Sequence, residues 1–342
     1  MSIHNKKKIE KNNTIIIDRR FIYMENENKF KIRTDLAVEL EEDINKKQNK
    51  IDGVKVERRY INDGKISVTR VVITSNEGAR AIGKPKGTYI TLESEDMGKT
   101  GEGYHREMSG ALSVYLRELL PVTKDKLTIL VAGLGNKNAT ADSLGPRVVE
   151  NLCVTRLMNE SVGNTELFDN DMYELCAIAP GVLAETGMES AEIIEGVVKK
   201  IKADVVIAVD ALSARKSNRL NTTIQISNSG INPGSGVGNH RMEITKKNIG
   251  VPVIAIGIPT VIDAATIVND TFDNLMEVMK MSGGMETYVK VLKSFNDEEK
   301  YQLIKEVISP ELQEMYVTPK DEDATVKYIS YTISEGLNII FT

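Results

Sequence analysis

The chain has 342 residues, enough to bury a large core as one domain or as a domain with an appended subdomain. Its 44 basic and 49 acidic side chains leave a net charge of −5, which argues against nucleic acid as a main partner, because phosphate binding wants a basic surface. Cys153 and Cys176, the only two cysteines, sit in apolar runs and read as small core residues of a reducing compartment, not as a disulfide framework. Three histidines, at 4, 105 and 240, are too scattered for a histidine-rich metal site. No apolar run reaches the roughly 18 residues a membrane span needs, and no signal-peptide pattern opens the chain, so a soluble intracellular protein is expected.

Residues 1–30 are polar and irregular and read as a mobile arm, apart from Ile15-Ile16-Ile17 and Phe21-Ile22-Tyr23. Met24 is an alternative natural start. A charged helix is expected from Leu36 to Lys50. Alternating runs follow over 54–60, 65–74 and 87–92, and Asn62-Asp63-Gly64 between the first two is a hairpin signal. These runs predict an antiparallel β subdomain over about 53–93. Apolar residues at helical spacing predict a helix over 104–120, stopped by Pro121.

From Leu127 onward strands and helices alternate. Strands are expected over 127–132, 175–179, 204–209, 223–227 and 251–257, with helices near 146–159, 187–201 and 262–281. Two more helices are expected over 286–308 and 320–340, with Pro310 and Pro319 bounding the segment between them. The Met-rich stretch 275–285 reads as core or subunit interface. The fold class is α/β: a mostly parallel sheet sandwiched by helices, with the antiparallel subdomain at its N-terminal side.

Three apolar runs lead to a carboxylate. Leu127–Ala132 is followed by Gly133, Gly135 and Asp142; 204–209 ends in Asp210; Pro252–Gly257 leads through 258–262 to Asp263. Open α/β sheets bind ligands at the carboxyl ends of their strands, so these residues point to one acidic site. Each alone would serve as a helix cap or turn residue. Clustered, they suit either a carboxylate pair that shares a proton and activates water or a set of oxygen ligands for a divalent metal, and the sequence leaves both open. Gly133-Leu134-Gly135 lacks the third glycine of a dinucleotide fingerprint, position 138 being Asn. The Gly234–Gly238 loop lacks the Gly-Lys-Ser/Thr ending of a phosphate loop, and a backbone that closes over an extended peptide, with Gly236 at its centre, is an equally good reading. No G-x-S-x-G and no H-E-x-x-H occurs.

Several longer stretches match one family: Arg33-Thr34-Asp35-Leu36-Ala37-Val38-Glu39, GLGN from 133 with Asp142-Ser143-Leu144-Gly145-Pro146, Ala179-Pro180-Gly181-Val182, VIAVDALSAR at 206–215, NTTIQIS at 221–227, GINPGSGVGNHR at 230–241 and PVIAIGIPTVIDAATI at 252–267. From about Lys31 onward the chain resembles the germination proteases, endopeptidases of endospore-forming Firmicutes. The resemblance implies a fold like that of hydrogenase-maturation peptidases and cleavage of the small acid-soluble proteins that coat spore DNA. It also implies a homotetramer in the spore core, with neither nucleic acid nor membrane as a direct partner. Its two catalytic aspartates fall on Asp142 and Asp210; Asp263 is added from strand position alone. Whether such a site works as an aspartic or as a metal-assisted peptidase stays open. A non-catalytic or nucleotide-sensing protein on the same fold is the alternative.

The resemblance also implies a zymogen that removes its own propeptide. The family's substrates are cut after an acidic residue, ahead of a hydrophobic residue and then alanine, and Thr34-Asp35-Leu36-Ala37 reproduces that order. Self-cleavage is therefore expected between Asp35 and Leu36, dividing the chain into a 1–35 arm and a 36–342 catalytic domain. Ile32 stands where substrates often carry a second acidic residue, so self-cleavage is expected to be slower than substrate cleavage. A cationic pocket for Asp35 is expected, with Arg215 and Arg241 as its candidates.

Overall fold

Runs of β-branched residues long enough to be buried on both faces become the central strands of a computed structural model, which describes residues 34–46, 51–97, 102–121, 126–156, 173–237, 241–281, 299 and 315–341. The strands are β1 (Val54–Ile61), β2 (Ile66–Ile73), β3 (Gly87–Glu93), β4 (Thr128–Gly133), β5 (Glu174–Ile178), β6 (Val205–Ala214), β7 (Thr223–Ser227), β8 (Val253–Asp263) and β9 (Tyr316–Val317). The helices are α1 (Ala37–Lys46), α2 (Asn76–Ile82), α3 (Glu102–Leu119), α4 (Leu144–Glu150), α5 (Leu183–Thr186), α6 (Ser190–Ile201), α7 (Lys246–Ile249), α8 (Ala264–Met281) and α9 (Glu322–Phe341). The chain divides into two units, Met1–Lys31 and Ile32–Thr342. The expected arm over 1–30 lies outside the described residues, as do 282–285 of the Met-rich stretch and nearly all of the helix expected over 286–308.

All nine strands join one sheet in the order β1-β2-β3-β7-β8-β6-β4-β5, with β9 on β8. The expected antiparallel strands are present, and they continue into the main sheet because β3 pairs with β7 and β7 with β8, both antiparallel. Parallel pairing is confined to β4–β5, β4–β6 and β6–β8, so the sheet is mixed. The β1–β2 turn forms as its Asn-Asp-Gly predicts: Asn62, Asp63 and Gly64 all take positive φ between Ile61 and Ile66, which pair.

One face of the sheet carries the larger core. There Ile129, Val131, Ile207, Val209, Ile254 and Ile256 meet Leu112 and Leu116 of α3, Val148 of α4 and Ile329, Ile333 and Leu337 of α9. On the other face Leu130, Ala132, Val206 and Ala208 pack on Ala191, Ile194 and Val198 of α6. The same face of the antiparallel half is covered by α1 and α2, through Ala37, Ile82, Val71, Ile73 and Tyr89.

Local differences from expectation have local causes. Helix α4 stops at Glu150, well short of 159, because Thr155 draws the chain alongside β5: its hydroxyl accepts from Leu175 N and donates to Tyr173 O. Cys153 consequently falls on an open segment and is exposed, and Cys176 is only partly buried, which corrects the reading of both as core residues. Helix α2 was not expected; Ser75 caps its start by accepting from Gly78 N, and Gly83 in the left-handed region ends it. β8 runs on to Asp263, and the helix after it begins at Ala264.

Candidate active site

Chain order switches direction at β4, since β5 lies on one side of it and β6 on the other. A crevice opens at the carboxyl ends of strands at such a point. Asp142 and Asp210 both lie there. Asp210 belongs to β6 and is 5% exposed; its Oδ1 accepts from Ala211 N at 3.0 Å. Asp142 closes a short 3-10 turn, Thr140–Asp142, and is half-buried. Two side chains pin that turn: Thr260 of β8 donates to Ala141 O at 2.7 Å, and Thr140 donates to Asp323 of α9 at 2.9 Å. The Asp142 carboxylate accepts from Asn136 N at 2.7 Å. Gly135 lets the turn dock this closely, because a Cβ there would stand 2.1 Å from Asp142 O.

Burial pushes both carboxyl groups up in pKa, opposed in Asp142 by the Asn136 N–H, which favours the charged form. Asp210 is pushed well above the usual carboxylate range, first by burial, then by the charges of Asp142 and Asp35. Of the two carboxyl groups Asp210 is the one more strongly biased toward its protonated form.

Asp263 does not join them. Asp210 pairs with Gly257, and Asp263 stands six residues further along β8, roughly 20 Å at strand rise. Its Oδ1 accepts from Ala265 N at 2.8 Å, capping α8, so the cap reading applies to this residue. The three carboxylates do not share one edge.

Asp35 enters the same region. Its N–H donates to Ser213 O at 3.1 Å, and its Oδ2 accepts from Ser213 N at 3.0 Å. Its Oδ1 accepts from the Ser235 hydroxyl at 2.7 Å. Gly236 seals the carboxylate from behind, since a Cβ there would stand 2.1 Å from Asp35 Oδ2. Lys84 is the cation that feels the Asp35 charge; burial lowers the ammonium's pKa and that charge opposes the fall. These groups bind Asp35 in place of the expected arginines: Arg215 uses its backbone N–H on Glu39, and Arg241 lies half-buried further along the loop. A cavity of about 90 Å³ remains beside Asp35, lined by Lys84, Tyr89, Leu212, Gln225 and Gly257 among others.

Leu36 is fully buried against Val38, Leu212 and Ile231. The Asp35–Leu36 bond lies just ahead of α1, which starts at Ala37. Behind it, Glu39 accepts from Thr34 and from the backbones of Arg215 and Lys216, while Arg219 spans Glu39, Glu42 and Glu93.

Asp142 and Asp210 supply two carboxylates, and among the described residues no group of three or more His, Cys, Asp and Glu side chains is arranged to hold a metal ion.

Comparison with known proteins decides the family. The germination protease family model matches residues 32–284. The chain belongs to the germination protease family. It is 45% identical to the germination protease of Clostridium tetani over 309 residues, covering 90% of this chain and 94% of that one. It is 46% identical to that of Caldanaerobacter subterraneus, covering 90% and 93%, and 39% identical to that of Priestia megaterium with the same coverage. Among solved structures, a [NiFe] hydrogenase maturation protease, HycI of Thermococcus kodakarensis, matches at 21% identity and a TM-score of 0.27, covering 43% of this chain and 80% of that one. Among the described residues of this germination-protease chain, no helix is long and apolar enough to cross a membrane.

Sequence reasoning missed Lys84, Ser213, Ser235 and Gln225. Ser213, Gln225 and Ser235 all lie in the stretches that carry the family resemblance, but nothing local in the sequence marks their roles.

Proposed function

We propose that this germination-protease chain cuts protein substrates after an acidic residue that precedes a hydrophobic residue and alanine, and that it cuts itself between Asp35 and Leu36. The observation that carries the reading is the seating of Asp35, whose carboxylate and backbone are both bound beside Asp210. The small acid-soluble spore proteins implied by the sequence resemblance are the proposed substrates, met in the spore core by a homotetramer.

In the proposed chemistry, ionised Asp142 takes a proton from a water that attacks the carbonyl carbon of the acidic residue. Neutral Asp210 gives its proton to the carbonyl oxygen. Collapse of the tetrahedral species breaks the C–N bond as the proton held on Asp142 passes to the leaving nitrogen and one of the two hydroxyls on the carbon returns a proton to Asp210. The products are a carboxyl group on the acidic residue and a free amine on the next. Two carboxylates held in unequal environments suit such a division of labour.

The test is to incubate the purified chain with an acid-soluble spore protein and map the cuts by mass spectrometry. Cuts confined to acidic–hydrophobic–alanine sites support the reading. Intact substrate after prolonged incubation, or cuts elsewhere, overturns it.

A further inference from the structure

Gln225 is buried on β7 and has no part in the chemistry above. Its side-chain amide nonetheless makes two bonds to the backbone around one peptide unit. Nε2 donates to the Asp35 carbonyl oxygen at 3.0 Å, and Oε1 accepts from Ala37 N at 2.7 Å. A primary amide presents a donor and an acceptor side by side, the same pair that a neighbouring strand would offer. The two bonds straddle the Asp35–Leu36 bond without touching either side chain.

Position in the sheet explains why this residue can do so. Gln225 pairs with Gly257, and Gly257 pairs with Asp210, so the three stand in one row across β7, β8 and β6. Paired residues face the same side, and two strand spacings separate Gln225 from Asp210 by roughly 10 Å at the backbone. Gly257 offers no side chain between them, and the space over it is taken by Leu212, against which Leu36 packs.

We infer that Gln225 is the residue that reads the substrate backbone, its N–H holding the carbonyl oxygen of the bond to be cut and its C=O holding the amide N–H two residues later. This rests on the proposed cleavage after Asp35. The carbonyl oxygen gains negative charge as water adds, so the Gln225 N–H bond strengthens in the transition state, whereas the bond to the later N–H serves alignment.

The experiment uses the purified full-length chain and a synthetic peptide of its own sequence 31–42, made once with amides throughout and once with an ester replacing the Leu36–Ala37 amide, which removes that N–H alone. Cutting at the Asp–Leu bond is followed by mass spectrometry. Wild type is expected to cut the ester peptide about 5- to 10-fold more slowly, the worth of one hydrogen bond. Gln225→Ala is expected to lose about 100- to 1,000-fold in kcat on the amide peptide, and to treat the two peptides alike. Gln225→Glu keeps the acceptor and loses the donor, so it should lose kcat yet still prefer the amide. If wild type treats both peptides alike, or Gln225→Ala cuts at the wild-type kcat, Gln225 merely tethers the uncut chain and the inference is overturned. If wild type cuts neither peptide nor itself, the underlying reading of the site fails instead. The wild-type comparison needs no variant to fold, and thermal melting shows which variants have.

Discussion

Ser235 donates its hydroxyl to the carboxylate of Asp35 across 200 residues of sequence, at 2.7 Å. With the Ser213 N–H on the other carboxylate oxygen, this bond holds an acidic side chain whose charge adds to burial and to the charge of Asp142 in raising the pKa of Asp210. The residue before the expected cut therefore does more than mark the position. After burial and the Asp142 charge, its own negative charge is a further cause of the raised Asp210 pKa, favouring the protonated form that the proposed mechanism needs.

The carboxylate pair comes first among the predictions. Asp142→Asn and Asp210→Asn should each abolish self-cleavage and cleavage in trans, while circular dichroism and melting stay close to wild type. The double variant should be little worse than either single one, because groups that act as a unit lose their whole effect at the first removal. Near-wild-type turnover in a folded single variant would take that residue out of the mechanism.

The pH dependence has a definite sign. Asp210 has a raised carboxyl pKa, so its protonated, working form is lost as pH rises through that value; Asp142, raised less, must be ionised and sets the acid limb. The same shift bears on stability: a raised pKa contributes stability that is fully present below the ordinary carboxylate value and is lost as pH rises through the raised one. Asp210→Asn should remove that loss, so its stability relative to wild type should grow toward alkaline pH. Asp142→Asn removes a neighbouring charge and should lower the Asp210 pKa, read from the carboxyl carbon in an NMR titration. A titration unchanged by Asp142→Asn would mean the two groups are not coupled.

How much of this the sequence exposes depends on how local each cause is. β4 and the first half of β6 are legible because burial on both faces leaves an unbroken apolar run. Asp142 and Asp210 stand out in the sequence because each comes after such a run, although β6 continues past Asp210 to Ala214 and Asp142 lies on a turn beyond β4. Asp263 misleads by the same logic: the chain after Gly257 continues as strand through Pro259, so the carboxylate is carried far past the switch point before it appears. The Asp35 pocket is not legible, since Lys84, Ser213, Ser235 and Gln225 come from four separate elements, and only folding brings them to one carboxylate and one peptide bond. Arg215 and Arg241, both in matched motifs, are the natural guess for such a pocket, yet the hydrogen bonds to the Asp35 carboxylate come from Ser213 and Ser235, and Arg215 turns its backbone N–H to Glu39.

Arg219 gives a stability prediction. Its side chain is 7% exposed and meets Glu39, Glu42 and Glu93, of which Glu39 is fully buried. Arg219→Ala leaves buried carboxylates uncompensated and should cost about 3–5 kcal/mol in urea denaturation at neutral pH. Arg219→Lys should recover only part of that, because a single ammonium cannot span three carboxylates. A loss below about 1 kcal/mol in Arg219→Ala would show that the network carries no net stability, as exposed pairs often do not.

The pocket predicts selectivity. Ser235→Ala removes a hydrogen bond to a charged group and should slow cutting after Asp by about 10- to 100-fold in kcat/KM. Lys84→Met removes the cation while keeping the length of the side chain, and should reduce the preference for Asp over Asn in otherwise identical peptides. Retained preference for Asp in Lys84→Met would assign the selectivity to the Ser213 and Ser235 bonds alone.

Self-cleavage ties these features together. Asp35 is bound in cis, with its carboxylate in the pocket, its carbonyl on Gln225 and Leu36 buried against Leu212 and Ile231. Burying a leucine side chain contributes about 1.5–3 kcal/mol, so the residue after the cut is held as firmly as the residue before it. The bond lies outside α1, where the backbone can present an extended conformation, and Ala37 N is already turned to Gln225 at the helix start. Incubated alone, the chain should mature to an N-terminus at Leu36, found by N-terminal sequencing. Asp35→Ala should slow maturation by removing the pocket's ligand, and Asp35→Glu should restore most of it. Asp142→Asn should block maturation in its own chain while remaining a substrate for wild type if cleavage runs between molecules; strictly intramolecular cutting predicts no rescue. A mature chain that begins elsewhere, or full activity toward an acid-soluble spore protein from a chain that keeps residues 24–35, would defeat the assignment of this bond.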